Sequence, residues 1–213
     1  MRDPDTPAYE NDEIAVDGTP IEAAQKFYFA MNKPRGVVTT ASDEKGRKTV
    51  MDLFREQYAK MFPGKPVPHI SPVGRLDAAS EGLLLFTNDT QWADVILSPA
   101  GAKDPVPTSH IKIYRVQVAG KPTTAELKQM EKGFNVPPRV FGESEEFMHA
   151  ERAVLHSEGE KNCWLEITLS EGKNREIRRM LAHLGYEVIR LVRIQFDKYT
   201  IGDLKPGEIR EIN

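Results

Sequence analysis

Residues 83–86 read Leu-Leu-Leu-Phe, four large apolar side chains in a row with Gly82 before them and Thr87-Asn88-Asp89 after. A run this short, bounded by turn-forming residues, reads as a strand buried on both faces. Such a strand needs paired neighbours at its sides and a layer of side chains above and below it. Candidate neighbours are present. Ile111, Ile113, Val116 and Val118 lie in a segment rich in β-branched residues, and Trp164, Glu166 and Thr168 alternate with Leu165, Ile167 and Leu169. Phe27–Met31 is a short apolar strand, broken by Asn32-Lys33-Pro34-Arg35-Gly36 and resumed at Val37–Thr40. Further strands are expected at 70–73, 147–156, 186–195 and near the C-terminus, with a short one at Ile14–Val16 before the Asp17-Gly18 turn. Helical spacing appears over 49–62, about 91–97 (ended by Pro99), 123–133 and 174–184. The third opens on the capping-box pattern Thr123-Thr124-Ala125-Glu126 and the fourth stops at Gly185. Residues 101–110 and the stretch from Pro137 to Gly142 read as loops. Strands outnumber helices and often follow one another. The expected class is therefore α+β, a mixed, largely antiparallel central sheet flanked by helices rather than a doubly wound parallel fold.

At 213 residues the chain has room for one domain, or for two small lobes on a shared core. No apolar run reaches the ~18–20 residues of a membrane span, and none follows Met1-Arg2-Asp3-Pro4-Asp5 as a signal peptide would. The single Cys163 excludes an intrachain disulfide framework and any multi-cysteine zinc site; a cytoplasmic location is expected, with the thiol buried in its strand. His69, His110, His149, His156 and His183 lie far apart, so no metal site is expected. There is no G-x-G-x-x-G, P-loop, G-x-S-x-G or H-E-x-x-H. Net charge is −3, but it is unevenly spread. Residues 1–26 carry seven acids against two bases, a net of −5, which leaves +2 for the rest. Within 172–193, Lys173, Arg175, Arg178, Arg179, Arg190 and Arg193 face only Glu176 and Glu187. A stripe of this kind holds phosphates while the whole protein stays acidic.

Three features could carry chemistry. Asp77 lies in Gly74-Arg75-Leu76-Asp77-Ala78-Ala79-Ser80-Glu81-Gly82, a loop between two apolar strands. It reads either as a functional carboxylate or as an ordinary turn aspartate bonding nearby N–H groups. With Glu81 it also offers a weak paired-carboxylate pattern of the glycosidase kind. On a helical wheel of 174–184, Ile177, Met180, Leu181 and Leu184 face inward, Arg175 and Arg179 point largely away, and Arg178 sits on the flank, where its planar fork can meet a carboxylate. Lys173 and the helix N–H groups could meet a phosphate, or the stripe could be a solvated face. Tyr114 faces opposite to Ile111 and Ile113; between Lys112 and Arg115 it suits a stacked base beside phosphates, or ordinary packing.

Taken in order, these segments resemble one enzyme family. Gly74-Arg75-Leu76-Asp77, continuing through Asp89, resembles the active-site motif of RNA pseudouridine synthases of the RsuA type, which includes the RluB, RluE and RluF types. Asn32–Gly36 is similar to that family's first motif, Lys112–Val116 to its tyrosine motif, Glu171–Met180 to its basic motif, and Leu191-Val192-Arg193 to the final one. The resemblance covers about 27–213 and implies a pseudouridine synthase catalytic domain with two lobes and a central cleft. It implies an isomerase acting on ribosomal RNA, more often that of the large subunit, with no cofactor. Asp77 would be the catalytic carboxylate, acting by nucleophilic attack or by removal of the 2′ proton; both stay open. Tyr114 would stack on the uracil, its hydroxyl open to a part in the C5 proton transfer. Arg178 would pair with Asp77 and keep it ionised. Leu191 would pack beside the base and Arg75 would help open the target helix. Lys33, Arg35, Lys112, Lys173, Arg175 and Arg179 are the expected phosphate and substrate contacts. The partner is ribosomal RNA, naked or in a pre-ribosomal particle, met by a monomer.

Two departures from the family pattern, Ile113 and Ser80 where threonine is common, remove no catalytic group. A larger one is at the front. Residues 1–26 form an acidic segment in which Glu10–Pro20 looks like the tail of an S4 RNA-binding domain, without the rest of it. Either a natural short form, as in the RluE type, or removal of that domain fits. A non-catalytic RNA-binding module in ribosome assembly is the alternative function.

Overall fold

The computed structural model describes residues 15–16, 19–20, 25–98, 111–138, 142 and 144–212. Most of the acidic N-terminal segment and the expected 101–110 loop lie outside these residues. Among the described residues, strands β1 (Ala15–Val16) and β2 (Thr19–Pro20) pair only with each other. The rest runs β3 (Tyr28–Lys33), α1 (Val50–Met61), β4 (Ser71–Val73), β5 (Glu81–Thr87), α2 (Thr90–Leu97), β6 (Lys112–Ala119), α3 (Thr124–Lys132), β7 (Phe134–Val136), β8 (Glu146–Met148), β9 (Arg152–Glu158), β10 (Asn162–Leu169), α4 (Glu176–His183), β11 (Val188–Phe196), β12 (Tyr199–Thr200) and β13 (Ile209–Glu211). The main sheet has the order β13-β3-β5-β11-β6-β10-β9, with β4 beside β5 and β12 beside β11. Its pairings are antiparallel except β5 with β11. This is the expected mixed, largely antiparallel α+β fold.

The apolar run dictates the centre. All seven residues of β5 are buried. Leu84 and Phe86 pack into one core with Phe29 and Met31 of β3, Val50, Phe54 and Tyr58 of α1, and Ile177, Met180 and Leu181 of α4. Leu83 and Leu85 point the other way, into a smaller core with Val73, Ile96, Phe196 and Tyr199. Each buried side chain of this size stabilises the fold by about 1.5–3 kcal/mol relative to exposure. The Thr123–Glu126 capping box forms as read, and a second, Thr49 with Asp52, opens α1.

Three local differences have physical reasons. Val37–Thr40 does not resume a strand beyond one bridge, Val38 to Thr49. Its polar groups instead brace the Asp77 loop: the Gly36 N–H donates to the Ala78 carbonyl at 2.7 Å, and the Thr39 hydroxyl to the Leu76 carbonyl at 2.7 Å. The expected strand over 147–156 is two strands. It breaks where the Ala150 N–H turns to Met130 and the Glu151 N–H to Thr168; β8 pairs with β7, and β9 with β10. The last helix starts at Glu176, not 174, because Arg175 is left-handed at φ 52°.

The parallel seam is short, pairing Val192 with Glu81 and Arg193 with Gly82. Gly82 has φ +104°, and a Cβ there would lie 2.2 Å from the Arg193 carbonyl oxygen, so only glycine admits this approach. Above the seam opens a cleft of about 690 Å³.

Candidate active site

The Asp77 loop forms one wall of the cleft, and it is held from below. Lys33 at the end of β3 is fully buried. Its ammonium donates to the carbonyls of Pro34 at 3.2 Å, Asp77 at 3.1 Å and Ser80 at 2.8 Å. Burial pushes that ammonium down to about 8, with Glu81 and Asp77 pulling weakly the other way. The Ser80 N–H closes the turn on the Asp77 carbonyl at 2.9 Å. With its backbone so fixed, the Asp77 carboxylate projects into the cleft half-exposed and meets the Arg175 guanidinium at 3.2 Å.

The facing wall comes from β6, β11 and the start of α4. Tyr114 (8% exposed) shares its face of β6 with the buried Val116 and Val118, opposite to Ile113. It pairs with Ile167 on one side and Arg193 on the other, and with Leu191 it lines the cleft. Arg178 spans two chain segments: one Nη donates to the Val188 carbonyl and the other to the Ala79 carbonyl, both at 3.1 Å. Burial lowers its pKa, Arg175 adds to this, and Asp77 opposes it. Lys112 and Arg193 both lie against the Phe196 ring, at 5.2 and 4.9 Å from its centroid. Burial, and then Arg193, lowers the Lys112 ammonium. Arg193 is 3% exposed, and its Nε donates to the Leu83 carbonyl at 2.8 Å. The Asp77 carboxylate thus opposes an aromatic wall beneath a rim of cations, a surface fitted to a polyanion that presents a flat ring.

The RNA pseudouridylate synthase family matches residues 27–183 of this chain. The chain belongs to that family. The synthase is 34% identical to ribosomal large subunit pseudouridine synthase B of Bacillus subtilis over 203 residues, 95% of this chain and 74% of the relative. It is 33% identical to ribosomal large subunit pseudouridine synthase E of Vibrio vulnificus over 200 residues, 91% of this chain and 78% of the relative. These relatives place it with the RsuA, RluB and RluE types. A crystal structure of a pseudouridylate synthase superposes with a TM-score of 0.67 at 28% identity, covering 89% of this chain and 71% of that one. The synthase is therefore an isomerase acting on RNA.

Of the residues singled out from sequence, the cleft of the synthase gathers Arg75, Asp77, Lys112, Tyr114, Lys173, Arg175, Arg178 and Leu191. Three do not join them. Lys33 spends its N–H groups on carbonyls beneath the loop, so it is a scaffold residue and not a phosphate contact. Arg35 is exposed and reaches the Ile189 carbonyl at 3.4 Å. Arg179 is tied to Glu146 at 2.5 Å and to the Pro137 carbonyl at 3.1 Å, against the β7–β8 pair. The direct partner of Asp77 also differs from expectation, being Arg175 in place of Arg178. The left-handed turn at Arg175 takes it out of helical phase, so it does not share the outward face of Arg179. Glu81 stands apart from the cleft, bound by both ends of the Arg190 fork at 2.8 and 2.7 Å, which removes the paired-carboxylate reading.

Sequence reasoning missed Glu176. It is 2% exposed and lines the cleft. Burial pushes its carboxyl up to about 7 against the opposing Lys173 N–H. The signal was in the spacing: Glu176 stands four residues before Met180, on the apolar stripe of its own helix.

Proposed function

We propose that this synthase isomerises a uridine of ribosomal RNA, in the large-subunit RNA, to pseudouridine, with Asp77 as the catalytic carboxylate. The observation that carries the reading is the half-exposed Asp77 carboxylate, held on Arg175 and facing Tyr114 across one cation-rimmed cleft. The reaction breaks the N1–C1′ bond, turns the uracil and joins C5 to C1′; the C5 proton leaves and N1 is left carrying one, so no atom is gained or lost. The base must leave its stack first, at a cost of a few kcal/mol. Tyr114 offers a face for the extruded ring, and Leu191 the apolar edge beside it. Arg75, Lys112, Lys173 and Arg175 lie where the flanking phosphates would run. Arg175 pairs with the Asp77 carboxylate at 3.2 Å, and Arg178 holds the Ala79 carbonyl of the same loop. Asp77 acts either by attack on C1′ or the uracil, or by taking the 2′ proton; a primary deuterium isotope effect at C2′ is expected only in the second case. The enzyme works as a monomer in the cytoplasm, where naked RNA and pre-ribosomal particles are both within reach.

The test is carbodiimide-adduct primer extension across both ribosomal RNAs, naked and in particles, with wild type and Asp77→Asn. One new stop in the large-subunit RNA, seen with wild type alone, is the expected result. The same stop with Asp77→Asn would remove the catalytic assignment. Binding without any stop would leave a non-catalytic RNA-binding module.

A further inference from the structure

Glu176 takes no part in the proposed reaction steps. Its Oε2 accepts the Lys173 N–H at 3.1 Å, and its own N–H donates to the Lys173 carbonyl at 3.3 Å. These two bonds close a ring around Asn174 and Arg175. Inside that ring Arg175 adopts φ 52°, a conformation that a residue with a side chain keeps only where its surroundings enforce it. The turn is what brings the Arg175 guanidinium to Asp77. The second carboxyl oxygen, Oε1, is buried and has no hydrogen-bond partner. A carboxyl placed on an apolar stripe with one oxygen unsatisfied weakens the helix packing, and the ring is the local return for that cost.

We propose that Glu176 is a positioning residue for the reaction: its carboxyl clamps the Lys173–Arg175 turn in the conformation that sets the Arg175 guanidinium on Asp77. The inference rests on Asp77 being the catalytic carboxylate.

Steady-state kinetics on the target RNA would compare wild type, Glu176→Ala, Glu176→Gln, Arg175→Ala and the Glu176→Ala/Arg175→Ala double variant. Glu176→Ala should lower kcat on the order of tenfold to a hundredfold, as small misplacements of reacting groups do. KM should move by less than about threefold, because the loss falls on the transition state. Glu176→Gln keeps an oxygen for the Lys173 N–H and should recover most of the lost kcat. The double variant should be no slower than Arg175→Ala, since both changes break the same link. Multiplying losses in the double variant would overturn the proposal. So would a Glu176→Ala protein that melts earlier but turns over at the wild-type rate. Should Glu176→Ala fail to fold, Glu176→Asp, one methylene short of the Lys173 N–H, serves in its place. Asp77→Asn is run alongside. Turnover retained there would defeat the Asp77 reading alone, whereas the coupling between positions 175 and 176 is read independently of it.

Discussion

Replacing Glu176 by glutamine should make stability less sensitive to pH. In the folded protein, burial lifts this carboxyl from the ordinary 4.5 to about 7. Between those values the native state still holds the proton that the unfolded chain has released. The unfolded state therefore binds fewer protons, and wild-type stability falls as pH rises through this window, the loss being complete above about 7. At ~1.4 kcal/mol for each tenfold change in proton affinity, the full interval amounts to about 3 kcal/mol at most. Glutamine has no proton to lose, and its amide oxygen can still accept the Lys173 N–H. Glu176→Gln should thus gain on wild type by about 3 kcal/mol near pH 8 but by about 1 kcal/mol or less near pH 5. For a chain of this size that difference is on the order of 5–10 °C in Tm. Thermal or urea unfolding followed by circular dichroism at a series of pH values measures it. The difference between the two proteins reports Glu176 together with its pull on the Lys112 ammonium, whereas Lys33, which Glu176 does not perturb, cancels between them. Midpoints that run parallel from pH 5 to pH 8 would refute the reasoning.

Other changes probe the scaffold and the walls. Lys33→Met strips the shared donor from three carbonyls and should cost about 2–4 kcal/mol in urea unfolding; a wild-type midpoint would mean that Lys33 does not hold the loop. Arg178→Lys can reach only one of the two carbonyls that the arginine fork spans, so turnover should drop. Arg179→Ala should instead loosen the β7–β8 pair with a smaller effect on kcat; equal losses of turnover in both would count against this division. Tyr114→Phe keeps the stacking face and removes the hydroxyl; RNA affinity should hold, and wild-type kcat would show that the hydroxyl takes no proton.

The sequence spoke clearly where one physical demand governs. Leu83–Phe86 had to be a central strand because four large side chains in a row can be hidden only with cores on both faces, and two cores are there. The alternation at 162–169 and the capping box at Thr123 are equally local signals. Asp77, Tyr114 and Leu191 became legible together only through the ordered family motifs, since each alone has an ordinary explanation. What stayed hidden depends on distant partners. Nothing near Lys33 in sequence announces that its ammonium will be enclosed by the carbonyls of residues 77 and 80. The helical wheel misplaced Arg175 because a wheel assumes unbroken phase, and one left-handed residue resets it.

The two walls of the cleft are joined along the parallel contact of β5 with β11, only two residue pairs long. Asp77 hangs from the β5 side, whereas Tyr114 and Leu191 belong to the β6–β11 side, so this contact sets the gauge of the site. A slip of one residue along it would carry Leu191 about 3.3 Å past the carboxylate and turn every β11 side chain to the opposite face. Gly82, too small to hold the strands apart, and Arg193, hooked onto the Leu83 carbonyl, act as the detent that admits one register. Turnover is therefore also a sensitive gauge of strand register in this fold: a protein that had folded with the seam one notch off would keep most of its secondary structure and lose its chemistry.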